Sequence, residues 1–292
     1  MIKVLKVPPT LDDEAFDDLV RQAEAGSEGG WLVDARHVRW ADPYGMIGLL
    51  ALGKELAGEE RPALELPESP EVLSYLGRMG FYREAERLYE MHGPAKHRDG
   101  GSSSVLLEIT PINSHEDVHG VIDHVQERAG VILTEKLGYS RGEAGMFSMI
   151  LSEVCQNIIE HAESGGWVGI QTYNWVKRLG RPVVMIAVMD LGVGFCGSLG
   201  NEHSMRFGDT WGDATALEAA FMHGVTRFRD PGRGQGLKQI RSRVARWGGK
   251  VAIRSGTARI ARTPEWDEGP AMEQDLAPFP GSQILIILPA RT

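Results

Sequence analysis

Cysteine is almost missing from this chain. Only Cys155 and Cys196 occur, and their positions make no C-x-x-C or metal-type spacing. That excludes a disulfide framework and a thiolate zinc site, and leaves two reduced thiols. No apolar run approaches the roughly 18–20 residues that cross a bilayer. The opening Met1–Lys6 is too short for a signal peptide and runs into Pro8-Pro9, so a cytoplasmic location is expected. An excess of basic charge is missing as well. The net charge of −9 gives no overall pull toward nucleic acid or an anionic membrane. Lys238, Arg241, Arg243 and Arg246 remain as a local basic group, at a spacing that suits one solvated helix face. What is present is a globular composition: 292 residues, 42% hydrophobic and 24% charged, from which two domains are expected.

Residues 1–92 read as alternating strands and helices, the pattern of a small α/β layer fold. Ile2–Val7 alternates like a strand. Leu11–Ala25 has helical spacing and is broken by Gly29-Gly30. Trp31–Asp34 is a short strand, Tyr44–Leu56 an apolar helix, Ala63–Leu66 a strand, and Glu71–Leu76 opens another helix. The stretch Trp31–Gly45 (WLVDARHVRWADPYG) resembles the STAS domain, the fold of anti-sigma-factor antagonists. STAS domains carry there a strand, a loop, then Asp-Ser-Ser/Thr-Gly opening a helix. Asp42 and Gly45 match that tetrapeptide; Pro43 stands where the phosphate-accepting hydroxyl would be. The resemblance implies a STAS-like domain that is not itself a phosphoacceptor and that serves for docking or regulation. Residues 93–104 (GPAKHRDGGSSS over Gly93–Ser104) are polar, rich in Gly and Ser and without periodicity, as in a flexible linker.

From residue 105 onward a second domain is expected. Val105–Ile109 alternates as a strand, Ser114–Leu137 and Gly142–Ala162 are helical, Trp167–Trp175 and Pro182–Met189 are strands. A helix lies within Gly234–Gly248, and strands follow at Lys250–Ser255 and Gln283–Leu288.

Three motifs in this part carry chemistry. Glu153, Asn157 and His161 are four residues apart, so a regular helix stacks them along one side, at the edge of the core. An Asn amide oxygen is a suitable hard ligand for Mg²⁺, and a nearby Glu can take a proton from a hydroxyl or water. A solvated helix face is the plainer alternative for these three alone. Met185–Phe195 (MIAVMDLGVGF) ends an apolar strand in Asp190, followed by Gly192 and Gly194. A carboxylate there must find a donor, and the adenine amino group is one, whereas guanine offers an acceptor. The two glycines let backbone pass close to a flat base; a simple strand-to-turn junction also fits. Pro231–Leu237 (PGRGQGL) leads into a helix, and glycines before a helix N-terminus expose N–H groups to phosphate oxygens. It is neither a Walker A motif nor a dinucleotide fingerprint, since no G-K-[S/T] follows and no strand leads into it.

Taken in order, the N-box (Glu153, Asn157, His161), D-x-G-x-G at Asp190, Gly192 and Gly194, and G-x-G-x-G at Gly232, Gly234 and Gly236 resemble the GHKL, or Bergerat-fold, ATPase superfamily. Gly281-Ser282, opening QILIILP, is similar to the family's last strand, with Ser282 in place of its usual Thr. The resemblance covers residues 105–292. It implies an α/β sandwich, a mixed sheet backed by helices, with ATP and Mg²⁺ under a mobile lid between Cys196 and Arg233. It implies Glu153 as catalytic base and Asn157 as metal ligand. Nucleotide contacts are implied from Asn157, His161, Asp190, Gly192, Gly194, Arg233, Gly234, Gly236, Leu237 and Ser282. Arg227 and Arg229 are read as surface residues. With three residues after Pro289, the transducer domain of the gyrase and MutL branches is not expected here. His115 sits at the first helix of the ATP region, unlike a kinase phosphoacceptor histidine. The branch that remains is similar to anti-sigma-factor serine/threonine kinases. That implies a protein partner, either a STAS-domain protein or a sigma factor, and allows a homodimer. The alternative is an ATP-gated interaction module or weak ATPase without kinase activity.

Overall fold

A computed structural model of the protein describes residues 2–25, 29–93, 106–162, 164–175, 179–207, 210–226 and 235–291. The first elements are β1 (Lys3–Lys6), β2 (Thr10–Leu11), α1 (Asp13–Glu24), β3 (Trp31–Asp34), β4 (Trp40–Ala41) and α2 (Pro43–Glu55). They continue as β5 (Ala63–Glu65), α3 (Pro70–Arg78), α4 (Phe81–Leu88) and β6 (Glu90–His92). Strands β1, β3, β5 and β6 lie side by side in that order, all parallel. Asp42 starts α2 by accepting the Gly45 N–H at 2.8 Å, and Pro43 presets its first turn. From Pro43 to Gly53 every residue of α2 is buried, as befits a helix that is apolar all round. Helix α4 was not foreseen; Gly80, at φ 72°, turns the chain between α3 and α4 and ends the readable periodicity.

The rest comprises β7 (Leu107–Ile112), α5 (His115–Val131), α6 (Arg141–Asn157), β8 (Gly166–Trp175), β9 (Arg181–Asp190), α7 (Gly194–Phe207), α8 (Asp213–His223) and α9 (Gln235–Arg246). Then come β10 (Lys250–Gly256), β11 (Ala258–Arg262), β12 (Met272–Glu273) and β13 (Phe279–Pro289). Seven strands form one sheet in the order β12-β11-β10-β13-β9-β8-β7. Every pairing in it is antiparallel, which corrects the expected mixed sheet. The reason is the last strand. β9 and β10 run the same way, and β13 inserts between them in the opposite direction, so no parallel pair is left.

Both faces of this sheet are apolar, and the period-two alternation sorts them. Val184, Ile186, Val188, Ile284, Ile286 and Leu288 meet a helical layer that includes Phe147, Leu151 and Val154 of α6 and Ile240 and Val244 of α9. Val183, Met185, Ala187, Met189, Leu285 and Ile287 join the same cluster as Phe16, Tyr44, Ile47 and Leu50 of α1 and α2. The first ninety residues therefore pack against the second sheet, with α2 buried between the two sheets. Polar ties cross this junction. Arg254 on β10 is 1% exposed and donates to Asp17 of α1 at 3.0 Å and to Gln283 at 3.3 Å. Arg259 pairs with the other oxygen of Asp17, Trp167 donates to Glu84 at 3.2 Å, and the Tyr75 and Tyr173 hydroxyls lie 2.6 Å apart. The expected linker over 93–104 lies outside the described residues except Gly93.

Candidate functional site

The interior strand β9 carries Asp190 at its end, with only 4% of the residue exposed. Its carboxylate is held from two sides. Oδ1 accepts the Gly192 N–H at 2.8 Å, and Oδ2 accepts a short bond from the Ser282 hydroxyl on β13. Burial raises the Asp190 pKa above the ordinary value, while the Ser282 and Gly192 donors pull it back. Two glycines make the approach of backbone possible here. Gly281 has φ 76°, and a Cβ there would fall 2.1 Å from the Asp190 carbonyl oxygen; Gly194 has φ 62°, and its Cβ would meet the Ser255 Oγ at 2.6 Å.

Ser255 is a site residue that sequence reasoning missed. It is 1% exposed, accepts the Phe195 N–H at 3.1 Å and donates to the Gly281 carbonyl at 2.9 Å. It thus ties the turn after Asp190 to the start of β13, where it is also the register partner of Ser282. No spacing in the sequence marks Ser255. Asp213, at the head of α8, was also missed. It accepts the N–H and hydroxyl of Thr257 at 2.8 and 3.0 Å and so ties α8 to the β10–β11 turn.

The helix α6 begins with a capping box, Ser140 and Glu143 each accepting the other's backbone N–H. It carries Glu153 and ends at Asn157, which is half-buried. Beyond Asn157 the winding widens to a π-helical turn over Ile158–Ala162. This corrects the expected stacking of Glu153, Asn157 and His161. Four residues bring a side chain back to the same line at 3.6 per turn, and a wider turn moves position 161 off that line. The His161 side chain itself lies outside the described residues. So do Arg227, Arg229, Gly232, Arg233 and Gly234, together with the side chain of Gln235.

Gly236 and Leu237 fall in the first turn of α9. A Cβ on Gly236 would come within 2.2 Å of Glu153 Oε2, so the Glu153 carboxylate lies directly against the start of α9. The first and third motifs, more than seventy residues apart in the chain, meet at this contact. Burial, with Glu160 nearby, raises the Glu153 pKa above the carboxylate norm, and Arg243 opposes that. Leu237 packs against the helical-layer core. The segment read as a mobile lid holds two helices, the second of which covers the helix-like stretch Ala214–Met222 that the sequence indicates. α7 packs on β10, β13 and the π turn, and α8 on β10, β11 and α9.

Among the described residues no three His, Cys, Asp or Glu side chains gather as a ready metal site. A cation at this place would depend on Asn157 and on ligands brought with it. The Asp190 carboxylate is served by the Gly192 N–H, the Ser282 hydroxyl and the Ser282 backbone N–H and, as an acceptor of about four bonds, keeps capacity for a further donor. Backbone stripped of side chains at Gly194 and Gly281 stands beside it. Chemically, this carboxylate can accept a hydrogen bond from one further N–H or O–H donor. On the far face of the sheet, Pro43 and Tyr44 are buried, Tyr44 being 2% exposed, and Pro43 sits against Gly169 of β8. No family model matches the sequence, and no curated protein is similar to it. Among the described residues, no helix is long and apolar enough to cross a membrane.

Proposed function

We propose that this chain binds Mg-ATP between α6, the end of β9, the start of β13 and the start of α9, in a site of the Bergerat type. The observation that carries this reading is Asp190: a buried carboxylate oriented by Gly192 and Ser282, with glycine backbone on both sides of it. Asp190 would accept a hydrogen bond from the adenine amino group, and the base would lie along the backbone of Gly192 and Gly194, while Gly281 lets β13 pack against Asp190. Asn157 would give its amide oxygen to Mg²⁺, and the bound cation would offset phosphate charge. The start of α9 at Gly236 would face the phosphates, with Arg233, Gly234 and His161 as further proposed contacts and Leu237 holding the turn to the core.

The reaction we propose is transfer of the γ-phosphoryl group to a serine or threonine of a protein partner, as in anti-sigma-factor kinases. Glu153 would take the partner's hydroxyl proton. It suits that task because it is reachable by solvent, lies against the start of α9, and has a pKa raised toward the working range of a base. The partner class we propose is a STAS-domain protein or a sigma factor. The chain's own STAS-like loop is not the acceptor, since it has Pro43 in place of a hydroxyl and Tyr44 is buried.

Calorimetry on the full chain tests the nucleotide assignment. Asp190→Asn should weaken Mg-ATP binding by about 1–3 kcal/mol, the cost of mispairing a buried hydrogen bond. Equal binding by wild type and variant, or a wild-type preference for GTP, would remove the adenine role from Asp190. Labelled ATP with a candidate partner then separates kinase from binding module: phosphoprotein supports transfer, and bound nucleotide with no phosphoprotein and no free phosphate contradicts it.

A further inference from the structure

Helix α5 opens on the sequence His115-Glu116-Asp117-Val118-His119. His115 and His119 stand four residues apart, and both are exposed, as is Glu116. The buried side of the helix is another one: Val118, Val121 and Val125 carry it into the core of the helical layer. Residues four apart on a helix hold their Cβ atoms about 5–6 Å from each other, with both side chains leaning toward the N-terminus. Two imidazoles so placed can each turn a ring nitrogen onto one ion, at the roughly 2.0–2.1 Å of a zinc–nitrogen bond.

The backbone under this pair is fixed by its own cap. The Asp117 carboxylate accepts the N–H groups of Asn113 and Ser114 at 2.8 and 2.9 Å, and the Asp117 N–H donates to the Ser114 hydroxyl at 3.2 Å. The first turn of α5 is therefore ordered before any ligand arrives, which lowers the cost of binding. Neither ring is engaged elsewhere: among the described residues His115 and His119 have no hydrogen-bond or ion-pair partner. The spelling H-E-x-x-H is also that of helical zinc sites in which the glutamate acts as a base. Those catalytic sites hold a third protein ligand. Among the described residues no third His, Cys, Asp or Glu side chain joins this pair, and Asp117 is committed to the cap. The arrangement suits metal binding without a hydrolytic centre.

We infer that His115 and His119 form a two-imidazole chelate for a divalent transition-metal ion of the zinc type, with water completing its shell. Imidazole nitrogens select against Mg²⁺, which takes oxygen ligands. The site stands apart from the nucleotide reading, because it lies on another helix, uses another ligand chemistry and shares none of the candidate nucleotide contacts. A bound ion bridges the first two turns of α5. It also stabilises the folded chain, since the unfolded chain does not hold the two rings together.

Calorimetry with zinc chloride on the full chain tests the site. Nucleotide is left out because its phosphates would take up the ion. Wild type should bind Zn²⁺, with Ni²⁺ competing and a large excess of Mg²⁺ without effect. His115→Ala and His119→Ala should each weaken the tightest Zn²⁺ equivalent by about a hundredfold, the loss of one arm of a chelate. Both positions are exposed, and circular dichroism checks that the variants are folded. His124→Ala removes an exposed imidazole that lies about 140° round the helix from His119, and it should leave that equivalent unchanged. This control separates the pair from scattered binding to surface histidines. A wild type that does not bind Zn²⁺ would overturn the inference. So would an affinity indifferent to His115→Ala and His119→Ala, an equal loss in His124→Ala, or displacement of Zn²⁺ by Mg²⁺.

Discussion

Asp42 shows how one buried carboxyl couples the fold to pH. It is 1% exposed and caps α2 through Gly45; burial raises its pKa well above 3.8, and the Gly45 N–H pulls in the other direction. Above the unfolded value the unfolded chain releases this proton while the folded chain keeps it. The Asp42 contribution to stability is therefore full in acid and is lost as pH rises through the folded pKa. Asp42→Asn keeps a good cap and removes the titration. In urea unfolding, the variant should gain on wild type steadily from acid to neutral pH; a pH-independent difference would contradict the assignment. Glu153 makes a second case. Glu153→Gln should lower phosphoryl transfer by about 10²–10⁴-fold and leave nucleotide affinity nearly unchanged. With its pKa raised, wild-type transfer should climb with pH through the Glu153 titration, and the Gln variant should lack that limb. An unchanged rate and profile would end the base assignment. At this scale Asp190 was legible because an acid ending a buried apolar run needs a partner. Ser255 was not, because a lone serine at a strand end carries no spacing signal.

Among the elements, the long strands were easiest to read. Trp31–Asp34 coincides with β3, and Trp167–Trp175 and Pro182–Met189 differ from β8 and β9 by a residue at each shifted end. β8 and β9 lie between two covered layers over most of their length, so their apolar residues form near-continuous runs. Helix α7 was missed because Gly197 and Gly200 weaken helical propensity, whereas packing on β10, β13 and the π turn compensates. The π turn after Asn157 was also hidden, since periodicity cannot show a local change of winding. The junction of β9 and β13 depends on Gly281. Gly281→Ala forces a side chain into φ 76° and against the Asp190 carbonyl. It should cost more than about 1 kcal/mol of stability and weaken Mg-ATP binding together with it. Thermal melts and titrations that leave both unchanged would show that this close approach is dispensable.

For the whole molecule, the layer arrangement changes what the first ninety residues are expected to do. A tether joined by a flexible linker would be removable, and the sequence pattern alone suggested that. In the structure these residues cover Val183, Met185, Ala187, Leu285 and Ile287 of the second sheet. Deleting Met1–Gly93 should expose that face as a large apolar patch and give an aggregating product. A soluble, folded remainder with full nucleotide affinity would contradict the shared core. Asp17→Asn probes the same junction more gently. It leaves the buried Arg254 without its carboxylate and should destabilise the full chain by about 3–5 kcal/mol. The most direct test of the central claim is amide hydrogen exchange on the full chain with and without Mg-ATP. Protection is predicted at Glu153–Asn157, Asp190–Phe195, Gly236–Ile240 and Gly281–Gln283, with α2 and the parallel sheet unchanged. No protection at these four places, or protection confined to the parallel sheet, would contradict an ATP site here.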